Sequence, residues 1–213
     1  MRHLISVTAL SAGLLFAPRL EAQAGRSLYD EGMRLMQQGK HADAEKRFER
    51  AIEREPNVGR YHLALGQAIG AQAQNASVVR QPFMARRIKQ EFETAVRLDP
   101  DLLDARDGLI QFHLMAPGVM GGDPAEARRQ QAEIARRNPV RGHMAQANIH
   151  WRSRDTVATE RSLRAAVDAA PDSVGPVVML AQRQAAWQRT AAAFGTIEGF
   201  LSRKPESVPA RYQ

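Results

Sequence analysis

The sequence predicts an all-α protein assembled from a repeated helix pair. Two patterns carry this. Prolines recur at positions 56, 100, 139, 171 and 205, separated by 44, 39, 32 and 34 residues. Between them the same ordering of small, aromatic and apolar residues returns. Composition agrees: of 213 residues, 44% are hydrophobic and 25% charged, values of an ordinary globular chain. Aromatics make up only 6% and cysteine is absent. The chain therefore offers no disulfide, thiolate metal site, iron–sulfur cluster or cysteine nucleophile.

The first unit is read from Gly32, Ala44, Phe48, Ala51 and Pro56, with separations of 12, 4, 3 and 5. Small residues let two helix axes approach to about 8–10 Å. Phe48 fills the space they leave. Gly39 breaks the chain between the two helices. Pro56 cannot continue the second helix, and Glu55 before it is biased toward extended backbone.

This run resembles the tetratricopeptide repeat, an antiparallel helix pair of about 34 residues. The resemblance implies a right-handed α-solenoid of about five helix pairs. The second unit continues with Leu65, Gly66, Phe92, Ala95 and Pro100 and carries about ten extra residues around Gln72 to Gln81, counted against that repeat length. Pro82 suits the first turn of its second helix. The third has Leu109, Ala127 and Pro139, with its surplus in the loop from Ala116 to Gly122. There Asp123 and Glu126 read as the two halves of a capping box around Pro124. The fourth has Ala147, Leu163, Ala166 and Pro171, with Thr159 where an alanine is usual. The fifth has Leu180, Ala181, Ala193 and Pro205, with Ile197 and Phe200 replacing the aromatic and the small residue. The expected units are 25–58, 59–102, 103–139, 140–173 and 174–206, followed by a short tail, 207–213. A final solvating helix is not expected, so Trp187, Phe194 and Phe200 predict an apolar end that could self-associate.

Residues 1–24 read as a cleaved secretory signal peptide. Arg2 and His3 precede an apolar stretch from Leu4 to Ala17, too short to span a bilayer. Ala22-Gln23-Ala24 fits the small-x-small cleavage pattern, placing the mature start at Gly25. The expected compartment is the bacterial periplasm or the medium. The net charge of +7 includes Arg2, Arg19 and Glu21, so the mature chain carries one positive charge fewer.

Motifs of catalysis are missing from the sequence. Gly121-Gly122 joins two helices and does not open a phosphate loop after a strand. His143 and His150 share a helix face at a spacing of seven, where three or four would suit a shared metal. No catalytic, cofactor-binding or metal-binding residue is assigned, and the protein is read as a non-enzyme without a cofactor. Nucleic acid is a poor partner, because the basic residues lack aromatic interleaving.

What remains is binding. In the resembling family the first helices line a concave groove that holds peptides or extended partner segments. Carried over by position, that implies Tyr29 and Met33, Gln67, Gln111 and Met115, Asn148, Trp151 and Arg152, and Gln182. The alternative is that these residues are core. The chaperone-binding members use a lysine and asparagine clamp, and Tyr29 and Met33 stand in its place here. A second candidate is the basic insert with Arg80, Arg86, Arg87 and Lys89, which could hold anionic lipid or polymer, or be a solvated helix face. A third is the loop from Pro117 to Gly122, whose Val119 and Met120 either project as a contact or tuck back. The function implied is a protein-interaction scaffold of the envelope, touching the membrane at most peripherally.

Overall fold

The computed structural model describes residues 17–206 and, from Gln23 onward, their side chains. The apolar stretch of the leader and the tail 207–213 lie outside the described residues. Among those described, every regular element is helical: ten α-helices and one short 3₁₀ turn, Gly118–Met120. This is an all-α solenoid of five helix pairs. It divides into two compact bodies, the first ending at Leu102 and the second beginning at Leu103.

The first body holds α1 (Ala17–Gln37), α2 (His41–Arg54), α3 (Gly59–Ala73) and α4 (Gln81–Leu98). Helix α1 runs without a break across the expected cleavage point. Successive helices pack on one another through small-residue contacts. A Cβ added to Gly32 would lie 2.4 Å from Phe48 Cε1, and one added to Gly66 would lie 2.7 Å from Phe92 Cε1. In each pair a glycine on the first helix is the floor on which a ring of the second helix rests. Ala44, Phe48, Ala51 and Ala95 are completely buried. Tyr29, Phe48 and Tyr61 link the two pairs: Tyr29 stacks on Tyr61 at 5.2 Å and tilts against Phe48 at 5.8 Å. The Tyr61 hydroxyl donates to Glu55 at 2.9 Å. Burial, reinforced by that carboxylate, pushes its pKa up to about 12.

His62, buried on α3, has acceptors at both ring nitrogens. Glu91 Oε2 lies 2.7 Å from Nδ1, and the Pro56 carbonyl lies 3.0 Å from Nε2. Only the doubly protonated ring donates to both. The Glu91 hydrogen bond raises its pKa above the ordinary 6.5, outweighing burial and the opposing charge of Arg97. A pKa raised by folding contributes stability that is complete below 6.5 and disappears as the pH rises through the folded value. The urea midpoint of the wild type is expected to fall as the pH rises from below 6.5 through the raised folded value, and His62→Gln to reduce that slope. Parallel slopes would show that the ring is neutral in the folded state.

The second body holds α5 (Leu103–Met115), α6 (Pro124–Arg137), α7 (Pro139–Arg152), α8 (Thr156–Ala169), α9 (Val174–Ala186) and α10 (Thr190–Leu201). Asp123 caps α6 by accepting from the Ala125 N–H at 2.8 Å. Glu126 does not close the capping box. Its carboxylate turns outward to Gln130 Nε2 at 2.7 Å and to Arg129, which offer charged and amide donors one turn on. Buried Thr159 satisfies its hydroxyl on the Asp155 carbonyl at 2.6 Å, which lets it stand in an alanine position. Gly142 brings α7 against α6; a Cβ there would lie 2.5 Å from Ala135 Cα. Three core clusters follow one another along the body. Ile110, Ala127, Ile134, Ala145 and Ile149 form the first, Ala147, Leu163 and Leu180 the second, and Val177 with Phe200 the third.

The turns inside three pairs share one device. In each, the second residue after the helix has positive φ and the next N–H reaches back to close the turn: Lys40 to the Leu35 carbonyl at 2.9 Å, Asp155 to that of His150 at 3.0 Å, and Arg189 to that of Gln184 at 2.9 Å. The positive-φ residue is Gly39 in the first (φ +73°), but Arg154 (φ 58°) and Gln188 (φ 61°) in the others. Left-handed backbone costs a residue with a Cβ about 1–2 kcal/mol. Gln188→Gly is therefore expected to stabilise by about 0.5–1 kcal/mol after the added chain entropy of glycine is subtracted. Thermal melts of the two proteins decide it; an unchanged or lower midpoint would refute the strain.

Candidate functional site

The first helices of three successive pairs, α5, α7 and α9, line a groove of about 410 Å³ in the second body. Their local sequences explain what it presents. Each of these helices buries small or branched residues away from the groove: Ala105 and Leu109 on α5, Ala147 on α7, Val177 and Ala181 on α9. The longer residues are left on the open side. Buried Ile110 forms part of the groove floor, and apolar contact comes from Leu114 and Met115, from Met144 and Trp151, and from Met179. Gln111 and Asn148 add amides.

Charge is unevenly spread along the groove. At one end Arg141 is tied to Asp104 at 2.6 Å and to Asp107. Burial pushes the Asp107 carboxyl up, with Arg141 opposing it. At the other end the Arg183 guanidinium lies over the Trp151 ring, 4.2 Å from its centroid. Burial alone lowers the Arg183 pKa, with no carboxylate acting against it. Trp187 sits 6.0 Å from Trp151 and supports this aromatic corner. Stacking of a guanidinium on an indole is favourable and holds Arg183 in place.

Of the residues named from the sequence, the groove collects Gln111, Met115, Asn148, Trp151 and Arg152. Gln182 is exposed on α9 and is not part of its lining; its neighbour Arg183 is, together with Met179. Helix α7 starts at Pro139 and α9 at Val174, 35 residues apart, whereas the repeat frame steps by 34. One residue turns a helix by about 100°, which moves the groove position from Gln182 to Arg183. Tyr29, Met33 and Gln67 belong to the first body. There Tyr29 packs on Tyr61 and Phe48, Met33 is half-buried and Gln67 is exposed on α3.

The basic cluster is not a loop insert. The extra chain is the connection 74–80, and Arg86, Arg87 and Lys89 lie on α4. Arg87 is bound to Glu45 at 2.5 Å and to Glu49, clamping α4 to α2. Glu45 also accepts from Gln72 at 2.6 Å. Lys89 faces Glu93 at 3.7 Å. Only Arg80 and Arg86 of the four are exposed. In the other loop, Val119 projects into solvent while Met120 is half-covered. Of the three rings at the last pair, Phe200 is buried, Trp187 half-buried and Phe194 exposed, because the wider Ile197 and Phe200 close α10 onto α9.

Among the described residues no three His, Asp or Glu side chains stand together as a metal site. None of their helices is long and apolar enough to cross a membrane.

Comparison with known proteins places this architecture. Residues 29–73 match the family described as tetratricopeptide repeat. Residues 29–73 thus carry the tetratricopeptide repeat. Solved structures extend the same fold over most of its length. The tetratricopeptide-repeat protein TTC0263 of Thermus thermophilus superposes with a TM-score of 0.63 at 18% identity, covering 89% of this chain and 96% of its own. PilF of Pseudomonas aeruginosa gives 0.58 at 12% identity, covering 85% and 77%. PilW, described as a widely conserved type IV pilus biogenesis factor, gives 0.56 at 15% identity, covering 86% and 79%. No curated protein matches the chain significantly. The tetratricopeptide fold is that of a protein-interaction scaffold.

Proposed function

We propose that this tetratricopeptide protein is a non-enzymatic scaffold of the bacterial periplasm or envelope that holds an extended partner segment in the α5–α7–α9 groove. One observation supports the groove most directly: Met115, Met144, Met179 and Trp151 face the same open channel as Gln111 and Asn148. Thioether side chains adapt to varied apolar shapes. The amides of Gln111 and Asn148 each offer a donor and an acceptor to a passing backbone. A groove of about 410 Å³, lined by three helices and not closed off from solvent, suits a peptide segment better than an enclosed metabolite. Export is read from the leader-like residues 1–24.

A photo-cross-linking residue at Met115, tested in cells, is expected to capture partner proteins, and Trp151→Ala to abolish the capture. Val157, exposed on α8, is the control position. Identical products from both positions would overturn the groove assignment. Cell fractionation, with sequencing of the mature terminus, tests export; a chain retaining Met1 in the cytoplasm would overturn it.

A further inference from the structure

We propose that the tip of the first body formed by residues 78–86 is a docking surface for an anionic lipid bilayer. Val78 and Val79 are each 77% exposed and Phe83 is 75% exposed. These are three of the seven large hydrophobic side chains left exposed among the described residues, and they fall within six consecutive positions. Scattered exposed apolar residues are unremarkable, but a concentration of them marks a contact surface.

The tip is built, not frayed. The Arg80 and Gln81 N–H groups donate to the Ser77 carbonyl at 2.9 and 3.1 Å, and Gln81 Nε2 donates to the Ala76 carbonyl at 3.1 Å. Pro82 fixes the first turn of α4. The valines and Phe83 are therefore presented by an ordered backbone.

Charge selects the occupant. Arg80 and Arg86 are exposed within the same stretch. Arg80 also lines a crevice with Lys40, which is exposed in the neighbouring turn. The acid of that crevice, Asp43, is engaged by Lys46 at 3.4 Å. Arg87 and Lys89 are spent on α2 and on Glu93 and take no part. Exposed apolar side chains interspersed with exposed arginines in one short stretch match the bilayer interface, where rings and branched chains enter the headgroup boundary and arginines meet anionic heads. This inference does not depend on the groove in the second body.

The test uses the full chain with vesicles of phosphatidylcholine, with and without phosphatidylglycerol. Sedimentation is expected with the anionic vesicles and to weaken as salt rises. Arg80→Gln with Arg86→Gln should weaken binding about 25-fold, about fivefold per cation. Val78→Ser with Val79→Ser and Phe83→Ser should weaken it at least about tenfold. All five positions are exposed, and an unchanged helical circular dichroism spectrum verifies folding. Because the chain has no cysteine, Phe83→Cys accepts a single polarity-sensitive dye. Its emission should shift to the blue on anionic vesicles, whereas a dye at Val157→Cys should not respond. Variants that bind like the wild type would place the contact elsewhere, for example in the leader. Equal binding to uncharged vesicles, or a Phe83 dye that stays solvent-like on sedimented protein, would also overturn the proposal. So would capture of an acidic protein by the tip with no vesicle binding.

Discussion

Phe48→Ala is expected to destabilise the first body by about 3–5 kcal/mol. Phe48 is completely buried, its ring lies over Gly32, and it touches Tyr29 at 5.8 Å. Removing it opens a cavity between α1 and α2 that neither helix can close, because their approach is already set by Gly32 and Ala44. Tyr29 loses one of its two ring neighbours, so the link to α3 weakens as well. Urea unfolding followed by circular dichroism gives the value; a cost below about 1 kcal/mol would mean that the pair can collapse around the loss. The complementary change is Gly32→Ala. It gains up to about 1 kcal/mol of helix propensity but places a Cβ 2.4 Å from Phe48 Cε1. Net destabilisation is expected, and Phe48→Leu should relieve part of it in the double variant.

Leu163→Ala is expected to cost about 2–5 kcal/mol in the second body. Leu163 is completely buried on α8, where it packs against Ala147 of α7 and Leu180 of α9, with Val167 and Met179 around it. It sits behind the groove and joins two of the helices that line it. Its loss should therefore lower partner capture at Met115 along with stability, although Leu163 itself is not among the groove-lining residues. A variant that unfolds at the wild-type urea concentration would contradict this packing role. Helix α8 is tied to α9 at a second point. Glu160 of α8 accepts from Gln184 of α9 at 3.3 Å and from Arg189, in the turn after α9, at 2.8 Å, as well as from Arg164 of its own helix at 2.7 Å. Burial pushes the Glu160 carboxyl up, but the Arg164 and Gln184 hydrogen bonds outweigh it and hold its pKa below the ordinary range.

The fold was legible because its determinants are local and periodic. Gly32 with Phe48, and Gly66 with Phe92, occupy matching places in two units, and each glycine lies under its own aromatic ring. Gly39 could be read as a break because a turn with positive φ favours glycine. Arg154 and Gln188 fill the equivalent turns without that signal, so their strain is visible only in the backbone. Among binding residues, position in the repeat predicts which helix faces the groove but tolerates no slip. A single extra residue between α7 and α9 exchanges Gln182 for Arg183. Arg87 looks like a free surface cation, yet its carboxylate partners Glu45 and Glu49 lie 42 and 38 residues earlier in the chain. Tyr29 has the spacing of a groove residue but is used in packing, since apolar periodicity cannot tell a shared core from an open face.

The sequence by itself determined the all-α class, the repeat and its family, because proline, glycine and alanine act on the backbone wherever they stand. Tertiary structure decided which long side chains remain available. It gathered methionines, Trp151 and Arg183 on one side of three helices, used up Arg87 and Lys89, and left Val78, Val79 and Phe83 in solvent. Those outcomes depend on pairings between distant segments, and no local pattern encodes them.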